Sequence, residues 1–181
     1  QRGRITAHAC YNLDFSAGKG SAIRFSALQH PAARAWVETF VAAEELTGMV
    51  AFDFFDVHGE VVAIECNPRL TSGVHLMNDA NAVVRAFFEV DGPVVEPVEG
   101  VSAQLAAPML LYGLPQAVQR GNVKAWWEAF RSSREVSWQA GDARPFLFQG
   151  VSIAALTLTA LRHREGLLDA TTHDIRWDGE M

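Results

Sequence analysis

The residues best equipped for chemistry lie between Gly48 and Leu76, in the run G-M-V-A-F-D-F-F-D-V-H-G-E-V-V-A-I-E-C-N-P-R-L-T-S-G-V-H-L. Side chains alternate across a strand, so Asp53 shares a face with Met49, Ala51 and Phe55, while Glu65 shares one with Val61, Ala63 and Asn67. A hairpin closed by the three-residue loop Val57-His58-Gly59 sets Asp56 opposite Glu60 and Asp53 opposite Ala63. Asp53, Glu65 and Asn67 then project to one side. A two- or four-residue loop turns Asp53 to the other face unless a bulge compensates. Two carboxylates and an amide so gathered are an oxygen-only donor set, suited to Mg²⁺ or Mn²⁺ rather than zinc. Beyond Pro68, Arg69 adds a fork of donors, the pairing expected where a phosphate is held by a cation and a guanidinium together. The plainer alternative is a solvent-facing aspartate and a Glu-x-Asn strand end.

These side chains need a hairpin and something to pack it on. Met49 to Phe55 and Glu60 to Asn67 read as its strands, with Gly59 available for a left-handed turn. Pro31 suits a first helical position, and Trp36, Val37, Phe40 and Val41 recur at helical spacing ahead of Gly48, so one amphipathic helix is expected over about residues 31–47. Upstream, Arg4 to Tyr11 and Ser21 to Ala27 read as strands around a loop carrying Lys19. Downstream, Asp79 to Glu89 reads as a helix capped by Asn78 or Asp79. The Pro93–Gly100 stretch is a connector, Ser102 to Leu111 is ambiguous between strand and helix, and Gln116 to Arg131 and Phe148 to Arg164 look helical. The last is apolar nearly all round and is expected to be buried.

Phe52-Asp53-Phe54, the turn with Gly59, Ile64-Glu65-Cys66-Asn67-Pro68-Arg69 and Thr71-Ser72-Gly73-Val74-His75 together resemble the second half of an ATP-grasp domain, the superfamily of carbamoyl-phosphate synthetase, biotin carboxylase and D-alanine–D-alanine ligase. The match runs over residues 31–90 and more loosely over 4–27. The longer form E-C-N-P-R-x-T-S-G-V-H-L, with the segment T-H-D-I-R-W-D-G-E near the C-terminus, resembles a group of uncharacterised ATP-grasp proteins with a C-terminal extension. The resemblance implies an α+β fold: an ATP-grasp C-terminal lobe over residues 1–92, an antiparallel sheet packed with helices, and a mostly helical extension over 93–181 packed on it. It implies ATP-dependent activation of a carboxylate as an acyl phosphate, for attack by an amine or other nucleophile. In that reading Asp53, Glu65 and Asn67 hold Mg²⁺ (or Mn²⁺), Arg69 meets the transferring phosphoryl group, and Ser72, Gly73 and Lys19 contact ATP or the second substrate.

The departures matter equally. The preceding lobe, with its ATP-contacting lysines and glycine-rich loop, has no counterpart in this sequence, which begins at Gln1 on a strand-like segment and reads as part of something longer. Its partners are then that N-terminal lobe and small carboxylate and amine substrates, and the fragment alone is expected to be inactive. Ala51 stands where some members of the superfamily place an arginine. The glutamine, valine and glutamate that bicarbonate-using relatives place after the arginine are missing from Leu70 to Gly73. The alternative function is a non-catalytic ATP-grasp-like module that binds a substrate or another protein.

Across its 181 residues the chain has 49% hydrophobic and 20% charged residues, the profile of an ordinary globular domain. Fifteen Lys and Arg against 21 Asp and Glu give a net charge of −6, which argues against nucleic acid as a partner. Two cysteines make no disulfide framework, and a cytoplasmic setting is expected. The most apolar stretch, Pro145 to Leu161, is interrupted by polar residues and falls short of the ~20 residues that cross a bilayer, so no membrane partner is expected. Ala17-Gly18-Lys19-Gly20-Ser21 lacks the full phosphate-loop spacing, though Lys19 and Arg24 could reach an anionic substrate. His75 is a candidate general base or a helix cap. Cys66, on the face opposite Glu65 and Asn67, is expected to be a small buried side chain. Trp126, Trp127 and Phe130 read as core packing or contact with the missing lobe.

Overall fold

The computed structural model describes residues 1–18 and 21–173 and is a mixed α+β arrangement. Two antiparallel strands, β1 (Tyr11–Ala17) and β2 (Ser21–Ala27), open the larger sheet. Their register slips at Asp14, which has no opposite number between Leu13↔Phe25 and Phe15↔Arg24. That bulge lets Asp14 meet the guanidinium of Arg24 at 2.6 Å.

A second, two-stranded sheet is made by β3 (Ala51–Val57) and β4 (Glu60–Asn67). Between the two sheets in sequence runs α1 (Pro31–Ala43), and after the hairpin come a 3₁₀ turn (Ser72–Leu76) and α2 (Ala80–Ala86). The chain beyond the connector then returns to the larger sheet. β5 (Ser102–Gln104) pairs antiparallel with β2, and β6 (Arg134–Glu135) pairs parallel with β5, for the order β1-β2-β5-β6. The Ala27 and Leu105 amides donate to the Val101 and Ile23 carbonyls at 2.8 and 2.9 Å, so the segments on either side of residue 92 share one sheet. The parallel pairing of β6 departs from the expected antiparallel sheet.

The core has two centres. Ala17, Ile23, Met109, Ala117 and Trp126 form one, and Phe25, Ala27, Leu76 and Ala103 the other. The first is covered by α3 (Ala106–Pro108), a π-helical turn (Met109–Gly113), α4 (Leu114–Gln119) and α5 (Val123–Ser132). Ser102 to Leu111, ambiguous in sequence, is thus a strand followed by helix. The helix expected over 116–131 is broken at Gly121, whose φ of 67° is left-handed. Trp126 is buried with its indole donating to the Met109 carbonyl at 3.3 Å and Phe130 stacks on it, as expected, while Trp127 is 50% exposed.

The last helix, α6 (Arg144–His163), corrects the expectation of burial. Phe146, Gln149, Ile153, Leu156 and Ala160 point inward, while Leu147, Phe148, Val151, Leu158 and Leu161 are exposed. Composition is apolar on every side, but the body of the protein offers only one surface to pack on. The helix is also longer than the apolar count from Pro145 to Leu161. At 20 residues, with mean hydropathy 1.3 over its best window, it is long and apolar enough to cross a membrane by length and composition.

Candidate functional site

The hairpin is built on aromatic contact with α1. His30 caps that helix by accepting the Ala33 amide on its ring at 3.2 Å, and Pro31 starts it. The helix ends at Ala43, short of the expected 47, because Glu45 takes a left-handed φ of 45°. Trp36 meets Phe52 and Phe54 edge-on at 5.2 Å each, and Phe40 meets Phe52 at 5.0 Å. Edge-to-face pairs contribute roughly 0.5–1.5 kcal/mol each beyond area burial. With Phe52 and Phe54 committed to α1, alternation sends Ala51, Asp53 and Phe55 to the opposite, open face.

The turn corrects the expected loop length. His58 and Gly59 alone join the paired Val57 and Glu60, both with positive φ (57° and 89°), the geometry that matches the twist of a two-residue hairpin. The Asp56 carboxylate accepts the Gly59 amide at 2.7 Å and lies 3.1 Å from the His30 ring. The turn amide first, and the imidazole second, hold Asp56 below the usual carboxylate range.

A two-residue turn alone sets Asp53 opposite Ile64. A bulge prevents this: Phe54 pairs with Ala63, Asp53 pairs with Glu65, and Ile64 is the extra residue. Asp53 and Glu65 therefore stand directly opposite each other, rather than Asp53 opposite Ala63. Ala51 pairs with Asn67, which brings Asn67 to the same open face one pair further along. Asp53 and Glu65 are exposed and Asn67 is half-buried. Phe55 and Val62, 62% and 51% exposed, form the next pair on that face, an apolar surface beside the carboxylates that alternation in β3 signals. Among the described residues no three His, Cys, Asp or Glu side chains gather where they could hold a metal ion.

Just past the strand the chain bends, with the Arg69 amide donating to the Asn67 carbonyl at 2.8 Å. Arg69 is exposed and its guanidinium donates to the neighbouring Leu70 carbonyl at 3.3 Å. No carboxylate among the described residues pairs with it.

The T-S-G turn goes elsewhere. It packs on β2 and β5, with Leu76 fully buried in the second core centre. Gly73 is buried, and a Cβ there would come within 3.0 Å of the Tyr11 ring and 3.2 Å of Ala9. A side chain at this position would press on the Tyr11 ring. Tyr11 also hydrogen-bonds Thr71 at 3.2 Å, and Ser72 is half-buried in the first residue of the 3₁₀ turn. His75 gives its carbonyl to the Arg134 guanidinium, and partial burial, with that guanidinium second, lowers its ring pKa below the ordinary histidine value.

Of the other singled-out residues, Lys19 and the segment from Asp174 to Met181 lie outside the described residues. Arg24 is engaged by Asp14 and by the Ser133 hydroxyl at 2.8 Å, so it is tied to its own sheet rather than free for a substrate. Cys66 does face away from Glu65 and Asn67, but it is exposed rather than buried. It sits opposite Phe52. No protein-family model, curated protein or solved structure matches the chain.

Proposed function

We propose that this chain is the C-terminal part of an ATP-dependent ligase of the ATP-grasp type, activating a carboxylate as an acyl phosphate for attack by an amine or other nucleophile. One observation carries the reading: the bulge at Ile64 overrides the parity of a two-residue turn and lines up Asp53, Glu65 and Asn67 on a single face. Directly opposed like charges are unfavourable on a sheet, and a backbone irregularity that creates such an opposition calls for a positive occupant.

The donor set fits a hard divalent ion of the Mg²⁺ kind, which takes one or two carboxylates and completes its shell with water and substrate phosphates. When bound, Mg²⁺ neutralises phosphate charge. Asp53 and Glu65 would supply its anionic ligands, and Asn67 a neutral oxygen. Arg69, unpaired by any described carboxylate, offers its fork of donors to phosphoryl oxygens beyond the strand end. Phe55 and Val62 form an exposed apolar pair beside the carboxylates on the same face. Gly73 is buried against the Tyr11 ring, away from this face.

ADP release from the complete gene product, measured with a panel of carboxylates and amines, tests the proposal. Turnover that requires both substrates and falls at least a hundred-fold in Glu65→Gln supports it. Unchanged turnover in that variant removes these residues from the site. The 181-residue chain alone is expected to bind Mg·ATP more weakly than micromolar, because the open face supplies too few contacts to offset the entropy of association. A non-catalytic binding module is the competing reading, favoured by the exposure of Asp53 and Glu65. Absence of any ADP release across the panel selects it.

A further inference from the structure

The outward face of α6 carries a pattern that neither the core nor the hairpin explains. At about 100° per residue, Arg144, Val151 and Arg162 fall on one line along the helix, with Leu147, Ala155 and Leu158 close on either side. The stripe that contacts the body, centred on Gln149, Ile153 and Ala160, lies diametrically opposite. Leu147, Phe148, Val151, Leu158 and Leu161 are 55–71% exposed. The open face is therefore apolar for most of its length and ends in an arginine at each side, the two about 27 Å apart along the axis. Arg164 follows directly, and no acidic residue occurs from Ala143 to Arg164 in a chain whose net charge is −6.

We propose that α6 lies in the plane of an anionic lipid bilayer, its outward face sunk among the acyl chains and its terminal arginines among the phosphates. A continuous apolar stripe seats on hydrocarbon, and long arginine stems let the charged heads reach the headgroup layer. The helix lies on the bilayer rather than crossing it, because Gln149 donates to Glu135 at 3.2 Å and to the Ser137 hydroxyl, holding the inward stripe to the protein.

A second copy of the chain fits this face poorly. An antiparallel pair sets Arg144 against Arg162 of the other copy, and a parallel pair sets each arginine against its own counterpart. Both arrangements bring like charges together at the ends of the seam. The arginines instead complement a negatively charged surface, where each contributes roughly a five-fold gain in binding.

Flotation of the purified chain with vesicles of phosphatidylcholine and phosphatidylserine, against vesicles of phosphatidylcholine alone, is the test. The chain is expected to float with the anionic vesicles and to stay largely behind with the neutral ones. Val151→Asp with Leu158→Asp should abolish flotation, while Arg144→Gln with Arg162→Gln should weaken it about thirty-fold and leave the far-ultraviolet spectrum unchanged. The proposal is overturned if the wild-type chain remains in solution with both vesicle types. It is equally overturned if the paired aspartate variant floats as well as the parent, or if the face instead holds a dimer that these aspartates dissociate.

Discussion

Replacing Glu65 with glutamine should stabilise this protein when no divalent cation is present. Directly opposed side chains in an antiparallel pair stand about 5 Å apart at Cβ, and Asp53↔Glu65 is such a pair on an exposed face. Two unit charges at that separation in water repel by about 0.8 kcal/mol. Screening at physiological ionic strength, with a Debye length of about 8 Å, lowers this to about 0.4 kcal/mol. Glu65→Gln keeps the shape and removes the repulsion, so its urea midpoint should rise by about 0.2 M for a slope near 2 kcal/mol/M. Magnesium should reverse the order. For a millimolar site, about 10 mM Mg²⁺ stabilises the folded parent by about 1.4 kcal/mol, and the glutamine variant should gain far less. Urea titrations with and without Mg²⁺, with sodium chloride matching the ionic strength, measure both effects. A variant less stable than the parent without Mg²⁺, or equally responsive to it, would refute the view that these two carboxylates face each other as a cation site.

Three further outcomes follow from the packing and the titratable groups. Gly73→Ala should cost about 1–3 kcal/mol by overpacking, since its Cβ meets the Tyr11 ring at 3.0 Å; Tyr11→Leu in the same chain should recover part of the loss in a thermal melt. Gly59→Val, at a φ of 89°, should destabilise the hairpin by about 1–2 kcal/mol, read as faster proteolysis within residues 51–67. Burial, with Arg34 second, holds His8 below 6.5 and outweighs the opposing pull of Glu96. A group with a lowered folded pKa contributes stability that is present above 6.5 and lost as pH falls through the folded value. The unfolding midpoint should decline from pH 7 toward pH 5, and His8→Gln should flatten that part of the curve.

What was legible in the residues and what was not divides along a physical line. Strand alternation is a local property, so the co-facial placement of Asp53, Glu65 and Asn67 could be anticipated, along with the commitment of Trp36 and Phe40 to a packed face. The turn length could not, because His58 is a non-glycine residue that adopts a positive φ, and side-chain identity at Ile64 carries no mark of a bulge. Two errors cancelled: the loop is shorter than expected, and the strand has one residue more than the ladder needs. Burial of whole elements was less accessible still. The apolar composition of α6 announces a need for cover without saying how many sides the rest of the molecule supplies. Gly73 shows the same limit in miniature, since a glycine beside a candidate phosphate site and one beneath a tyrosine ring look alike in sequence.

The separateness of the β3–β4 sheet has a dynamic consequence. Among the described residues neither of its outer edges is hydrogen-bonded to another strand, and two-stranded ribbons hold together in water chiefly by what they lean on. Among the described residues that support includes α1, through four aromatic rings. The hairpin can thus open as a small cooperative unit while β2, central in the larger sheet, stays closed, and its amides should exchange with solvent well before those of Ile23 and Phe25. A ligand that grips Asp53, Glu65 and Asn67 would act as a clasp on this unit, slowing its exchange without touching the slower rates of the core.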